Sequence, residues 1–265
     1  MMTPDEAGFQ EFLSWLRSAP PGGNVESVLR AYRSELLSAG ASEAEANGQL
    51  TIIQRSMKGS RELWPLLFDT IYASDAPTFR AEPNALLAEA IRGRSPGAAL
   101  EPCMGEGRNA VYLAEQGWDV TGFDVSETGL AKARARAAAA GVRLDAVRET
   151  SEDFDLGVSR WALIALIYAP VVEPAYLERL KRALEPGGII VVESFASARA
   201  AARRPVDIDP DDLRSAFSDF AVLRFEDTTG VPDWDQRPAR VVRFVAEKPA
   251  LGATDVQQGA NAVAP

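Results

Sequence analysis

Three observations predict an α/β fold: a doubly wound, mostly parallel sheet with a C-terminal antiparallel hairpin, preceded by an N-terminal helical extension. From about residue 94 short apolar runs alternate with helical stretches, the pattern of parallel βαβ units. The run Trp161 to Tyr168 is apolar without alternation, as a strand covered on both faces must be. Residues 1 to about 93 carry helical spacing and no strand pattern. The chain has 265 residues, 46% hydrophobic and 25% charged, enough to bury a core without disulfide staples.

The elements follow in order. Phe9, Phe12, Leu13 and Leu16 mark a first helix, which Pro20-Pro21-Gly22-Gly23 ends. Asn24 caps a second, with Val25, Val28, Leu29, Tyr32 and Leu36 inward and Gly40 at its end. Ser42-x-x-Glu45 is a capping box for a third, lined by Leu50, Ile53 and Met57. A fourth, Arg61 to Tyr72, sets Trp64, Phe68 and Tyr72 on one face. Strands are expected at Ala98–Glu101, Asp119–Asp124, Val142 to about Arg148, Trp161–Tyr168 and Ile189–Val192. Helices lie between them: one through Val111-Tyr112-Leu113, one over 127–140 capped by Ser126 and stopped by Gly141, and one begun by Pro174. Pro186-Gly187-Gly188 turns the chain into the fifth strand. A helix near Pro210–Phe217 precedes two strands, Ala221–Phe225 and Val241–Ala246, joined by a polar loop Asp227–Arg237. The expected units are a helical extension or lid over 1–93, a ligand-binding domain over 94–248 and a disordered tail over 249–265.

Composition excludes several chemistries. Net charge is −10, so nucleic acid is not an expected partner, and the basic cluster Arg199, Arg203 and Arg204 reads as a solvated loop or an anion clamp. Histidine is absent and Cys103 is the single cysteine, which excludes His-dependent triads, zinc sites and an internal disulfide. The acidic N-terminus has no apolar export segment, and Trp161 to Val172 is too short to span a bilayer. A cytoplasmic protein without membrane contact is expected.

The informative stretch is Ala99-Leu-Glu-Pro-Cys-Met-Gly-Glu-Gly-Arg-Asn-Ala110. Gly105-x-Gly107 between a strand and a helix lets a ligand approach the backbone and a helix N-terminus. Asp124 stands where a ribose-binding acid would, so a dinucleotide is one reading. Against it, Glu101 lies four residues before Gly105, where an acid repels a pyrophosphate and suits a cationic ligand, and Ala110 replaces a third glycine.

On these residues, Ala98 to Phe195 resembles the Rossmann-like core of class I S-adenosylmethionine-dependent methyltransferases. The carriers are Glu101, Cys103, Gly105 and Gly107, then Gly-Trp-Asp-Val-Thr-Gly-Phe-Asp-Val-Ser ending at Ser126, and Leu184-Glu-Pro-Gly-Gly188. Gly107-Arg-Asn109 running into Ala-Val-Tyr-Leu-Ala is similar to small-molecule methyltransferases of the tellurite-resistance type, and the likeness extends to Phe79–Asn84. The resemblance implies S-adenosylmethionine as cofactor. Glu101 would help hold its amino-acid arm, Gly105 and Gly107 would give that arm room, Cys103 and Asn109 would be among the cofactor-binding residues, Asp124 would accept the ribose hydroxyls and Val125 would flank the adenine. The family's usual acid after the third strand falls at Thr150, so Glu152 or Asp153 would take its place. Glu101 and Cys103 stand where the family usually has Asp and Gly, read either as drift or as a methionine arm held differently.

A sulfonium is an excellent leaving group, so such a protein supplies alignment and excludes water. Tyr168 at a strand end and Tyr72 on the lid are the candidate catalytic residues, and Phe79, Glu193 and Ser194 are candidates for orienting the substrate. Methyl transfer to a small molecule, releasing S-adenosylhomocysteine, is the leading activity. The alternatives are cyclisation of the cofactor to azetidine-2-carboxylate and methylthioadenosine, and binding without catalysis.

Overall fold

The computed structural model describes residues 3–57, 60–75, 80–170, 174–197, 206–233 and 237–250. The arginines at 199, 203 and 204, Phe79, and all but the first two residues of the expected tail lie outside them.

Four helices come first: α1 (Pro4–Leu16), α2 (Val25–Ser38), α3 (Glu43–Ser56) and α4 (Leu63–Tyr72). Reciprocal capping boxes start the first three, from Thr3 with Glu6, Asn24 with Ser27 and Ser42 with Glu45. Each satisfies orphan amides that the first turn would leave to water. Phe12, Leu13, Leu16, Val28, Tyr32, Ile53, Leu63, Leu67 and Ile71 form their common core. Trp64 and Phe68 pack partly buried at its margin. A short helix, α5 (Ala85–Ala90), is capped by Asn84 and leads into the sheet.

The rest is β1 (Ala98–Pro102), α6 (Arg108–Glu115), β2 (Asp119–Asp124), α7 (Glu127–Ala140), β3 (Asp145–Arg148), β4 (Trp161–Ile167), α8 (Pro174–Ala183), β5 (Leu184–Phe195), α9 (Pro210–Ala216), β6 (Ala221–Gly230) and β7 (Ala239–Glu247). Strand order is β3-β2-β1-β4-β5-β7-β6. The first five strands are parallel, and β7 runs antiparallel between β5 and β6. This is the expected doubly wound sheet with its terminal hairpin. Apolar clusters cover both faces, one around Phe123, Trp161 and Phe244, the other around Leu113, Leu163 and Ile189. Strand order reverses between β1 and β4, so a crevice opens at their carboxyl ends, where open α/β sheets bind ligands.

Three strands differ from expectation by three residues or more. β3 begins at Asp145, because Gly141 ends α7 in the left-handed conformation and 142–144 turn the chain. β5 begins at Leu184, which pairs with Trp161 ahead of a register shift; the kink at Gly187 is held by its amide on the Lys248 carbonyl. The polar residues Asp227–Gly230 belong to β6 rather than to a loop. Arg243 faces Glu226 across the hairpin, and Arg240 binds Asp227 through both carboxylate oxygens, so polar side chains sustain the pairing.

Candidate active site

The crevice is built from the ends of β1, β2 and β4 and roofed by α4. Glu101, next to last in β1, is buried at 3% exposure. Asn109 Nδ2 donates to its Oε1 at 2.8 Å, whereas its Oε2 is buried with no hydrogen-bond partner among the described residues. Burial pushes its carboxyl up to about 7, against the hydrogen bond from Asn109, the nearby Arg108 and the Ala110 amide, which hold it down. An acceptor left bare in such a place has a cost unless a ligand supplies the donor.

Above Glu101 the chain turns through Cys103, Gly105 and Gly107, all with left-handed φ (55°, 54° and 72°). A Cβ on Gly105 would overlap the Tyr72 hydroxyl, and one on Gly107 would stand 2.7 Å from the Ala133 Cβ. Cys103 shows why glycine is the usual residue in its place, since a side chain there is held in a sparsely allowed conformation. Tyr168, just past β4, also has left-handed φ (55°). Backbone strain thus stands at the end of both strands that flank the crevice. Burial, with Asp124 nearby, pushes the Cys103 thiol up to about 12, so it is no nucleophile at neutral pH.

Asp124 ends β2 and is buried. Its Oδ2 accepts from the Gly105 amide and its Oδ1 from the Ser126 amide, each at 2.9 Å. Burial pushes it up to about 6, and these amides oppose the rise. Val125, half-buried, follows at the start of the β2–α7 turn.

The N-terminal helices are joined to the crevice by polar contacts. Asp69 of α4 accepts from Ser126 Oγ at 2.6 Å and from the Thr128 amide at 3.0 Å. Lys132 of α7 donates to the Ser74 carbonyl and to Glu106. Arg61 pairs with Asp153 beyond β3. Tyr72, at the end of α4, lies against Gly105 and Gly129; its burial near Asp124 and Glu106 holds its phenol well above the usual range.

One pocket is lined by Tyr72, Glu101, Cys103, Asn109 and Tyr168, together with charged residues that include Arg108 and Glu106. It brings together five of the residues singled out from sequence, and Gly105, Gly107 and Asp124 adjoin it. Glu193 of β5 stands behind Tyr168, whose hydroxyl donates to Glu193 Oε1 at 3.0 Å. Ser194 points to the opposite face, as adjacent strand residues must, and its hydroxyl is taken by the Val206 carbonyl. Glu152 and Asp153 are exposed outside this pocket; Asp153 holds Arg61 and accepts from Thr150 Oγ1. Sequence reasoning assigned no role to Asn84, Arg108 or Asp233. Arg108 and Asp233 pair at 2.8 Å in a half-buried contact, and Asn84 donates to both Glu193 and Asp233. The sequence marked Asn84 only as the end of the stretch Phe79–Asn84 to which the family likeness extends.

Residues 99–188 match the family model described as a methyltransferase domain. Hemagglutinin 1 of Eikenella corrodens is 26% identical over 180 residues, 63% of this chain and 59% of that protein, so the chain matches under two thirds of that relative's length. TehB from Haemophilus influenzae superposes with a TM-score of 0.55 at 17% identity, covering 69% of this chain and 66% of that one. A structure described under conversion of a disulfide bond into a thioacetal group during echinomycin biosynthesis superposes with a TM-score of 0.55 at 22% identity, covering 74% and 97%. Residues 99–188 thus match a methyltransferase-domain model, and the sheet that contains them has the Rossmann-like α/β fold of the S-adenosylmethionine-dependent methyltransferase structures on which it superposes.

Proposed function

We propose that the crevice holds S-adenosylmethionine and that the protein directs its methyl group to a small-molecule acceptor, releasing S-adenosylhomocysteine. The observation that carries this reading is Glu101 Oε2, a buried carboxylate oxygen with no hydrogen-bond donor among the described residues, beside a glycine turn. It is a seat for the ammonium of the cofactor's amino-acid arm. Asp124 accepts one amide on each oxygen and retains lone pairs for two ribose hydroxyls. Gly105 and Gly107 give the turn its left-handed backbone and its close approach to Tyr72 and α7, Asn109 fixes the Glu101 carboxylate, and Val125 flanks the adenine. Asp153 is committed to Arg61 and Thr150, which leaves Glu152 for the adenine amino group.

The cofactor supplies an activated methyl on a good leaving group, so the chain's own work is alignment and exclusion of water. Residues 1–93 act as the lid: Asp69, Lys132 and Arg61 pin it over the crevice, and a roofed site suits a small acceptor. Burial and the neighbouring Glu193 push the Tyr168 phenol above its usual range. Its hydroxyl therefore stays protonated at neutral pH and orients the acceptor rather than removing a proton from it. Tyr72 forms the facing wall. The small-molecule chemistry in the description of the echinomycin neighbour supports such an acceptor by analogy of fold.

One observation favours a second reading. Glu101, pushed up to about 7, can accept a proton at neutral pH beside the cofactor's amine. Cyclisation would pass the ammonium proton to Glu101, form the bond from nitrogen to the γ-carbon and break the bond from that carbon to sulfur, releasing methylthioadenosine. Mass spectrometry of the protein incubated with S-adenosylmethionine alone separates the two. Intact cofactor is the result expected for methyl transfer, and S-adenosylhomocysteine should then form once an acceptor is supplied. Enzyme-dependent methylthioadenosine with azetidine-2-carboxylate overturns that reading in favour of cyclisation, and binding without turnover across acceptors overturns both.

A further inference from the structure

We infer that Asn84 is a positioning residue that ties the Glu101 seat to the Tyr168–Glu193 pair through one buried hydrogen-bonded chain. The inference rests on the cofactor reading above.

Asn84 is 1% exposed. Its main-chain amide donates to Asn109 Oδ1 at 2.8 Å, and Asn109 Nδ2 donates to Glu101 Oε1 at 2.8 Å. Its side-chain Nδ2 donates to Glu193 Oε1 and to Asp233 Oδ2, each at 2.9 Å. Glu193 Oε1 also accepts from Tyr168 Oη, and its Oε2 accepts from Arg243 Nε at 2.8 Å. The amide has one workable orientation: Oδ1 accepts from the Leu87 amide to cap α5, so the NH2 end must face the two carboxylates. A serine hydroxyl would cap the helix as well. The side-chain NH2, which a cap does not require, ties Asn84 to β5 and to the β6–β7 connection, and thereby steadies the main-chain amide that holds Asn109 at the start of α6.

The chain has a consequence at Glu101. Its carboxyl is faced by Arg108 and Asn109 of α6, Asp124 of β2, Cys103 of the turn and Tyr72 of α4. Asn109 and Arg108 favour the ionised form, and Asp124 opposes it. When Asn84 no longer anchors its own backbone, Asn109 is held less firmly, and Glu101 takes up a proton at higher pH. Ligand with a cationic amine binds the ionised form, so its affinity reports that titration.

The test is calorimetric titration of S-adenosylhomocysteine into wild type, Asn84→Ser and Asn84→Ala from about pH 5.5 to 8.5. Wild-type affinity should fall about tenfold per pH unit below a midpoint near 7. Both variants should raise that midpoint by about half a unit or more, giving roughly threefold weaker binding at the acid end and near-equal binding at the alkaline end. Asn84→Ser keeps a capping oxygen, so restoration of the wild-type profile by Ser but not by Ala would reduce Asn84 to a helix cap and overturn the inference. A uniform loss of affinity in both variants, with the midpoint unmoved, overturns it as well. Wild type that binds no S-adenosylhomocysteine at any pH overturns the cofactor reading instead, and this inference with it.

Discussion

Replacing Glu101 with Gln should stabilise the ligand-free protein while weakening its hold on the cofactor. Glu101 is buried, Oε2 has no donor among the described residues, and burial lifts its carboxyl from the ordinary 4.5 to about 7. Between those values the folded chain keeps a proton that the unfolded chain has released. The unfolded state therefore binds fewer protons, and stability falls as pH rises from about 4.5 through about 7. At about 1.4 kcal/mol for each tenfold change in proton affinity, the loss approaches about 3 kcal/mol above pH 7. Gln keeps an acceptor for Asn109 and carries no charge, so it escapes that loss. Urea denaturation should find the two proteins near-equal at pH 5, with Glu101→Gln more stable at pH 8 by up to about 3 kcal/mol, or several degrees in Tm. Asp124 repels the ionised Glu101, and Gln removes that repulsion too, so the coupling between the two carboxyls adds to the difference in the same direction. A variant less stable than wild type at pH 8, or a difference independent of pH, would refute the assignment of Glu101 as a buried acid awaiting a cation.

Three further outcomes follow from the same geometry. Asp124→Asn should weaken S-adenosylhomocysteine binding by roughly tenfold or more, because charge-assisted bonds to the ribose are each worth about 1.5–3 kcal/mol; calorimetry checks it, and unchanged affinity removes Asp124 from the ribose. Gly105→Ala should lower stability by about 1–3 kcal/mol, since it combines left-handed φ with overlap on the Tyr72 hydroxyl. Adding Tyr72→Ala should recover the steric part, and thermal melts of the double mutant should be non-additive. Asp69→Ala removes the α4 acceptor from Ser126 and Thr128; it should speed proteolysis within residues 1–93 in the absence of ligand, and identical digestion would show that Asp69 does not hold the lid.

Much of the sheet was legible because parallel strands are covered on both faces. Trp161–Ile167 is apolar throughout, and Asp119–Asp124 is bracketed by Gly117-Trp118 and the capping Ser126. The long β6 was not legible: Asp227-Thr-Thr-Gly230 has loop composition, and its strand state depends on Arg240 and Arg243 supplied by β7. The glycine turn and Asp124 could be read because their spacing along the chain carries the chemistry. The Asn84 chain could not, since Glu101, Glu193 and Asp233 are separated by long stretches of sequence and meet only through the sheet order. Ser194 shows the reverse error, a residue beside Glu193 in sequence that strand alternation sends to the other face.

The most direct measurement is a crystal structure of the protein grown with S-adenosylhomocysteine. The account predicts the ligand in the crevice between β1 and β4, its amine within hydrogen-bond distance of Glu101 Oε2 and its ribose hydroxyls on Asp124. A ligand bound elsewhere, or one in the crevice whose amine leaves Glu101 Oε2 without a donor, would contradict it.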